Sequence, residues 1–175
     1  RLSNFPVSFF SVVLGLAGYT IAAQKLAPLL GMSSVVPGVL LAVSVVVFVL
    51  VSFVYIGKVL WNREAVKREF SHPIRINFFP TISISLLLFS IAFLSQSPVI
   101  SLYLWIAGAL LHLLFTVTIV TTWMQSTQFT ITHMNPSWFI PAVGNIIVPL
   151  AGLVHAPFDI SWFFYSVGLL FWVVL

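Results

Sequence analysis

The residues whose types and spacing most suggest a function lie in one apolar stretch near the end of the chain, from Asn135 to Gly152. The stretch reads NPSWFIPAVGNIIVPLAG and holds three prolines, two glycines and two asparagines. Pro141 and Pro149 each remove a backbone hydrogen bond from the body of a helix. In lipid, the freed groups are tolerated only where protein or water satisfies them. We therefore predict a broken membrane span that faces protein or a water-filled path, where amide and backbone dipoles can stabilise a passing anion.

The composition places this stretch in an integral membrane protein. The chain has 175 residues, of which 61% are hydrophobic and 6% are charged, against about 25% charged residues in a soluble domain. No Asp, Glu, Lys or Arg occurs between Arg75 and Asp159. That interval is too long for one helix, so it must cross the membrane several times. The predicted fold class is an all-α polytopic membrane protein.

Apolar runs, separated by short segments that contain proline and polar residues, predict six spans, about residues 6–26, 35–58, 76–95, 98–124, 136–153 and 159–175. The odd spans open with similar motifs, NFP, HPIRINFFP and NPSWFIP, whereas the even spans are plainer. This alternation predicts repeated helical hairpins, with kinked odd helices inside around a pore and even helices outside. The first residue is Arg1 and the last apolar run has no polar tail. We therefore interpret residues 1–175 as one transmembrane domain, the N-terminal part of a longer protein.

The distribution of charge predicts the orientation. Five of the seven Lys and Arg residues lie between Lys58 and Arg75, and Arg1 would share their side of the membrane. The positive-inside tendency then places this loop and the N-terminus in the cytoplasm of a bacterial inner membrane, and Lys25 on the other side. The high pI thus indicates topology rather than nucleic-acid binding. We expect a solvated loop, which continues the second helix into water; binding of anionic lipid headgroups is the alternative.

The residues for metal or nucleophilic catalysis are too few and too scattered. The chain has no cysteine, and its only acids are Glu64, Glu69 and Asp159. The predicted topology separates the four histidines, His72, His112, His133 and His155, so that they do not converge on one ion. We expect no enzyme activity, no catalytic residue, no metal and no cofactor.

The order of the motifs resembles that of the tellurite-resistance/dicarboxylate transporter family, which is related to the slow-type anion channels. The residues that carry the resemblance are HPIRINFFP at 72–80 and HMNPSWFIPAVGNIIVPLAG at 133–152, with FPVSFFSVVLGLAG at 5–18. The resemblance implies ten helices in five hairpins, a pore through each protomer and a homotrimer. It also implies a pore-occluding phenylalanine on the ninth helix, which lies beyond these six spans. Its substrates would be small anions: chloride and nitrate, sulfite and tellurite, or C4-dicarboxylates.

The candidate pore-lining residues lie on the three odd spans. They are Phe10, Gly15, Pro80, Thr81, Pro141, Gly144 and Asn145. Their hydroxyl and amide groups would contact the anion and aromatic rings would gate by closure or dewetting. Ordinary helix packing is the competing interpretation of each phenylalanine, and bonding to the helix's own backbone is that of each hydroxyl.

Two other functions stay open at this point. A proton-coupled dicarboxylate carrier would need a titratable group inside the membrane, and only His112 qualifies. A structural membrane subunit that transports nothing would need no polar groups on broken helices. The absence of fixed charge from spans three to five favours uncoupled anion flux through a channel-like path.

Overall fold

The computed structural model of the chain describes residues 2–125 and 135–175, and helices make up its regular structure there. The helices are α1 (Phe10–Leu29), α2 (Val35–Trp61), α3 (Arg63–Phe70), α4 (Pro80–Phe93), α5 (Pro98–Gln125), α6 (Phe139–Val143), α7 (Val148–His155) and α8 (Phe158–Val174). The predicted all-α polytopic class is thereby confirmed.

Five helical segments of the described residues are long and apolar enough to cross a membrane. They are Val7–Leu29, Val35–Trp61, Arg75–Phe93, Pro98–Gln125 and Pro136–His155. The sixth predicted span is the shorter apolar helix α8. The boundaries agree with those expected from the sequence to within a few residues, because prolines and polar turns interrupt the apolar runs.

The three odd spans each begin with a 3₁₀ turn at their sequence motif, and that of the fifth span is Pro136–Trp138. Val7–Phe9 precedes α1, and Arg75–Phe78 precedes α4. Pro80 occupies the first turn of α4, where a backbone N–H would have no acceptor within the helix, so that its absence breaks no hydrogen bond. The motifs therefore start helices at the end of the molecule that carries the arginines, which we call the basic end.

The expected continuation of the second helix into water is wrong. The chain turns at Asn62, whose φ of −134° and ψ of 48° end α2, and the separate helix α3 folds back. The Lys58 ammonium, 1% exposed, then lies 2.7 Å from the Glu69 carboxylate. The same ammonium donates to the Phe5 carbonyl at 2.8 Å. Lys58 is thus buried and does not lie in a solvated loop. Its ion pair with Glu69 supplies the partner that a buried charge needs.

The packing separates inner from outer helices. Helix α4 packs between α1 and α5, whereas α8 packs against the segments of the span from Pro136 to His155. Two-thirds (67%) of the most apolar stretch of the span Arg75–Phe93 is buried, against 17% of that of Val35–Trp61. This contrast agrees with an inner third helix and an outer second helix.

Candidate functional site

The span from Pro136 to His155, called the broken span below, is divided into short pieces. It runs through a 3₁₀ turn at Pro136–Trp138, helix α6, a second 3₁₀ turn at Gly144–Ile147 and helix α7. Asn135 caps its start, since its side chain accepts from the Ser137 N–H at 2.9 Å. Pro149 has no N–H for the Asn145 carbonyl, and that carbonyl accepts from the Val148 N–H instead. The prolines therefore explain why the span is not a continuous α-helix.

Polar side chains join the broken span to α5 at this break. The Thr116 hydroxyl on α5 donates to the Pro141 carbonyl at 2.8 Å and shares its hydrogen with the His112 carbonyl of its own helix at 2.9 Å. Asn145 donates from its side-chain amide to the Pro141 carbonyl at 3.2 Å and to the Ala142 carbonyl at 2.8 Å. The same amide lies 3.1 Å from the Thr116 hydroxyl. These bonds satisfy carbonyl groups at the break in a region where water is scarce.

A histidine and a glycine complete this contact. His112, one turn before Thr116 on α5, is 0% exposed, and its Nδ1 lies 2.9 Å from the Ser83 hydroxyl on α4. A Cβ at Gly144 would lie 2.8 Å from His112 Cε1 and 2.8 Å from Ile84 Cδ1. Only glycine lets the broken span approach α5 so closely. We call the set Ser83, His112, Thr116, Pro141 and Asn145 the seam.

The opposite side of the broken span forms an apolar groove with α1 and α4. The groove encloses a cavity of about 550 Å³. Its lining is aliphatic and aromatic apart from the backbone of Gly144: Leu14, Ile84, Leu88, Phe139, Ile140, Val143, Ile146, Ile147 and Trp172. We call this surface the groove. It contains no charged side chain among the lining residues.

Two further cavities lie nearer to the ends of the molecule. At the basic end a cavity of about 740 Å³ is lined by Arg68, His72 and Arg75 together with Glu69 and Val7. At the opposite end, called the far end, a cavity of about 480 Å³ is lined by residues that include Ile21 and Lys25.

One stripe of helix α1 and the turn before it contributes to all three cavities. Val7, Leu14 and Ile21 line the basic-end cavity, the groove and the far-end cavity in turn. A spacing of seven residues is two helical turns, so these positions share a face. Helix α4 and the turn before it also contribute to all three cavities, since Phe78, Leu88 and Ile91 line them in the same order. The three cavities therefore succeed one another along α1 and α4, and they share no lining residue.

The structure separates the predicted pore-lining residues into two groups. Gly144 lines the groove, and Gly15 is exposed on α1 with no atom within 4 Å of an added Cβ. Pro141 and Asn145 belong to the seam, with Asn145 0% exposed. Thr81 is likewise buried and donates to the Phe78 carbonyl of its own chain segment.

Two further candidates pack within the protein at the basic end. Phe10 is 2% exposed, and its ring contacts Phe48 and Tyr55 edge to face. Pro80 is buried at the start of α4. These two side chains contribute to the packing of the core, and a lining role for any of the seven candidates stays a prediction.

Apart from Gly144, the groove residues were missed by sequence reasoning, which selected polar groups and the residues at helix breaks. Leu14, Ile84, Leu88 and Val143 look like ordinary lipid-facing side chains in the sequence. The available signal was the seven-residue spacing from Val7 to Ile21 on a span that begins with a proline motif. Periodicity alone does not say whether such a stripe faces lipid, protein or a cavity.

The histidines lie apart where the structure describes them. His72 lines the basic-end cavity and His112 belongs to the seam. His155 accepts or donates a bond with Ser101 at 2.7 Å near the far end. His133 lies outside the described residues. Within residues 2–125 and 135–175, no group of three or more His, Cys, Asp or Glu residues could hold a metal ion.

The family comparison matches nearly the whole chain. The family model described as voltage-dependent anion channel matches residues 4–175. The S-type anion channel SLAH2 of Arabidopsis thaliana is 31% identical over 184 residues, covering 99% of this chain and 35% of the plant protein. The TehA tellurite resistance protein homologue of Haemophilus influenzae is 28% identical over 171 residues, covering 97% of this chain and 52% of that protein.

An uncharacterised transporter of Methanocaldococcus jannaschii is 24% identical over 158 residues, which cover 89% of this chain and 46% of that protein. The chain therefore spans about half the length of these relatives, or less. The resemblance drawn from the sequence motifs is confirmed, and the chain belongs to the SLAC1 family of voltage-dependent anion channels.

Proposed function

We propose that the parent membrane protein conducts small anions along the groove, which helices outside residues 1–175 would close into a pore. The observation that carries this proposal is the succession of three cavities along α1, with an uncharged centre and with Arg68 and Arg75 beside Glu69 at the basic end. Membership of the family supports it. The substrates would be chloride and nitrate, sulfite and tellurite, or C4-dicarboxylates, and no chemical conversion would be involved.

An uncharged centre suits rapid passage better than tight binding. A fixed arginine would hold an anion strongly and slow its release, whereas backbone dipoles and small polar groups stabilise it weakly. The groove offers the backbone of Gly144 beside aliphatic side chains. Aliphatic constrictions of this kind can gate by expelling water. The seam holds the broken span in position behind the groove and leaves its carbonyls satisfied.

The remaining features of the assembly follow from charge and exposure. We place the basic end and the N-terminus in the cytoplasm of a bacterial inner membrane. Helix α2 would face lipid, because its exposed side chains are apolar: Val39, Val46, Val49, Leu50 and Phe53. A homotrimer with one path in each protomer is the assembly that the family resemblance suggests.

Electrogenic flux from the full-length parent protein in liposomes tests the proposal. A potassium gradient with an ionophore would impose a membrane potential, with chloride, nitrate or malate as the only permeant anion. We expect the potential to decay at a rate that depends on the anion supplied. Absence of decay with every anion, from protein that is folded and correctly inserted, would contradict the proposal.

A pair of tryptophan variants tests whether the groove is the path. Leu14→Trp would place an indole in the groove and should slow the decay about tenfold or more. Leu50→Trp is the matched control, because Leu50 is 58% exposed on the outer helix α2. Equal flux in the two variants would exclude the groove as the path.

A proton-coupled dicarboxylate carrier is the second candidate, because of one specific observation at the seam. His112 is 0% exposed, and its Nε2 has no hydrogen-bond partner among the described residues. A buried imidazole with one free nitrogen is a possible proton carrier. Uptake that requires a pH gradient and is lost in His112→Gln, with no electrogenic decay in the parent, would favour this function.

A further inference from the structure

The far-end cavity is polar on one side, unlike the groove. Gln24 and Lys25 come from the last turns of α1, and Ser95 follows the end of α4. Ile21, Ile91 and Leu150 complete the apolar part of the wall with Leu94. Three helices, α1, α4 and α7, therefore border about 480 Å³ at this end of the molecule.

The amide of Gln24 is held in place within this cavity. Its Nε2 donates to the Ala92 carbonyl on α4 at 3.1 Å. An amide NH₂ group has two hydrogens, so the second hydrogen stays available for another acceptor. The Ser95 hydroxyl and the Lys25 ammonium add donors without adding a fixed negative charge.

Lys25 is the cation that this cavity contains. The other charged residue near the far end, Asp159, lines a separate apolar cavity between α5 and α8. Lys25 is exposed, so its ammonium stays hydrated and its binding to an anion would be weak. Weak attraction at a pore mouth raises the local concentration of anions without blocking their release.

We propose that Lys25, Gln24 and Ser95 form an anion-capture site for small monovalent anions, halide or nitrate, at the far end of the groove. This inference rests on the proposed function, since the site serves the same path. A lysine near a helix end otherwise extends to the lipid headgroups. The position of Lys25 beside Ile21, on the stripe of α1 that lines the cavities, favours the path over the lipid surface.

Flux measurements on charge variants of the full-length parent protein test this site. Lys25→Gln should lower the chloride flux about threefold at low ionic strength, the size expected for one unit charge roughly 6 Å away in water. The difference should vanish near 1 M salt, where the Debye length is about 3 Å. Lys67→Gln is the matched control, because it removes the same charge from an exposed position of α3. Equal flux in Lys25→Gln and Lys67→Gln at low salt would overturn the site.

A labelling experiment tests the site without relying on transport. Ser95→Cys, in a parent protein without other cysteines, would react with an anionic sulfonatoethyl methanethiosulfonate and with a neutral methyl methanethiosulfonate. We expect the anionic reagent to react about threefold more slowly when Lys25→Gln is added, and the neutral reagent to react at the same rate. Equal slowing of both reagents, or of neither, would overturn the site. A parent with no flux but with this charge-selective labelling would refute the proposed function alone.

Discussion

The seam and the groove are two sides of the same broken span, and their chemistry is opposite. On the seam, Asn145 and the Pro141 carbonyl bond with Thr116 on α5. On the groove, Val143 and Ile147 present aliphatic side chains to a cavity. The side with the polar side chains is closed, and its side-chain donors bond the backbone carbonyls at the break, whereas the side with the open space is apolar.

The difference shows what prolines and asparagines do in this span. A break in a membrane helix frees carbonyl groups, and each needs a donor. Asn145 supplies its amide to two of these carbonyls. Polar residues near a break can therefore be required by the backbone, independently of any anion that passes on the other side. Substitutions at the seam and in the groove test this division.

The largest expected effect is at Gly144, which borders both surfaces. Gly144→Ala would place a Cβ 2.8 Å from His112 Cε1 and from Ile84 Cδ1. Overpacking of this kind costs about 2 kcal/mol, so the apparent Tm in detergent should fall. Gly15→Ala is the control, because nothing lies within 4 Å of its added Cβ. A Gly144→Ala variant as stable as Gly15→Ala would show that the seam tolerates separation.

Removal of the Thr116 hydroxyl is expected to cause a smaller loss of stability. Thr116→Val keeps the shape of the side chain but removes the donor to the Pro141 carbonyl, and should cost about 1–2 kcal/mol. Thr122→Val serves as control, since Thr122 donates to Thr118 of its own helix, and it should change stability by about 0.5 kcal/mol or less. Thermal unfolding of both variants in the same detergent gives the comparison.

The coupling between Thr116 and Asn145 sharpens this result. The two side chains share the Pro141 carbonyl, so a double-mutant cycle of Thr116→Val and Asn145→Leu should give an interaction energy of about 1 kcal/mol. Additive losses of stability would mean that the two side chains act on the break independently. Urea or thermal unfolding of the four proteins provides the cycle.

Substitution of a groove residue is expected to have the smallest effect on stability. It should nevertheless change transport. Val143→Thr adds a hydroxyl to the groove at nearly constant shape, and should alter stability by about 0.5 kcal/mol or less. The relative rates for chloride, nitrate and malate should nevertheless change, because the hydroxyl adds a dipole to the path. Val39→Thr, 56% exposed on α2, is the control and should leave the ranking unchanged. An unchanged ranking in Val143→Thr as well would place the path away from this residue.

The general architecture could be predicted because it depends on local sequence. Lipid requires long apolar helices, so the hydrophobic runs and their proline punctuation predicted the spans to within a few residues. The absence of charge from Arg75 to Asp159 predicted repeated crossings, and the motifs at 72–80 and 133–152 predicted the family. The cap at Asn135 is also a local feature, since Asn is a favoured N-cap residue and directly precedes Pro136.

The lining of the candidate path was not predictable in the same way. Sequence reasoning selected Thr81, Pro141 and Asn145 because polar groups in an apolar span suggested contact with an anion. Which way a side chain points depends on how α1, α4, α5 and the broken span pack together. The buried pair of Lys58 and Glu69 shows the same limit, because it forms only after α3 folds back at Asn62.

The sequence alone thus determined the membrane class, the order of the helices, the breaks at the prolines and the family. These depend on hydrophobic runs and on backbone chemistry that neighbouring residues fix. Only the tertiary structure decided that Asn145 bonds within the seam, that Gly144 must be glycine beside His112, and that Leu14 and Val143 line one cavity and Lys25 another. The reason is physical: each of these depends on the distance between residues that are far apart in the chain.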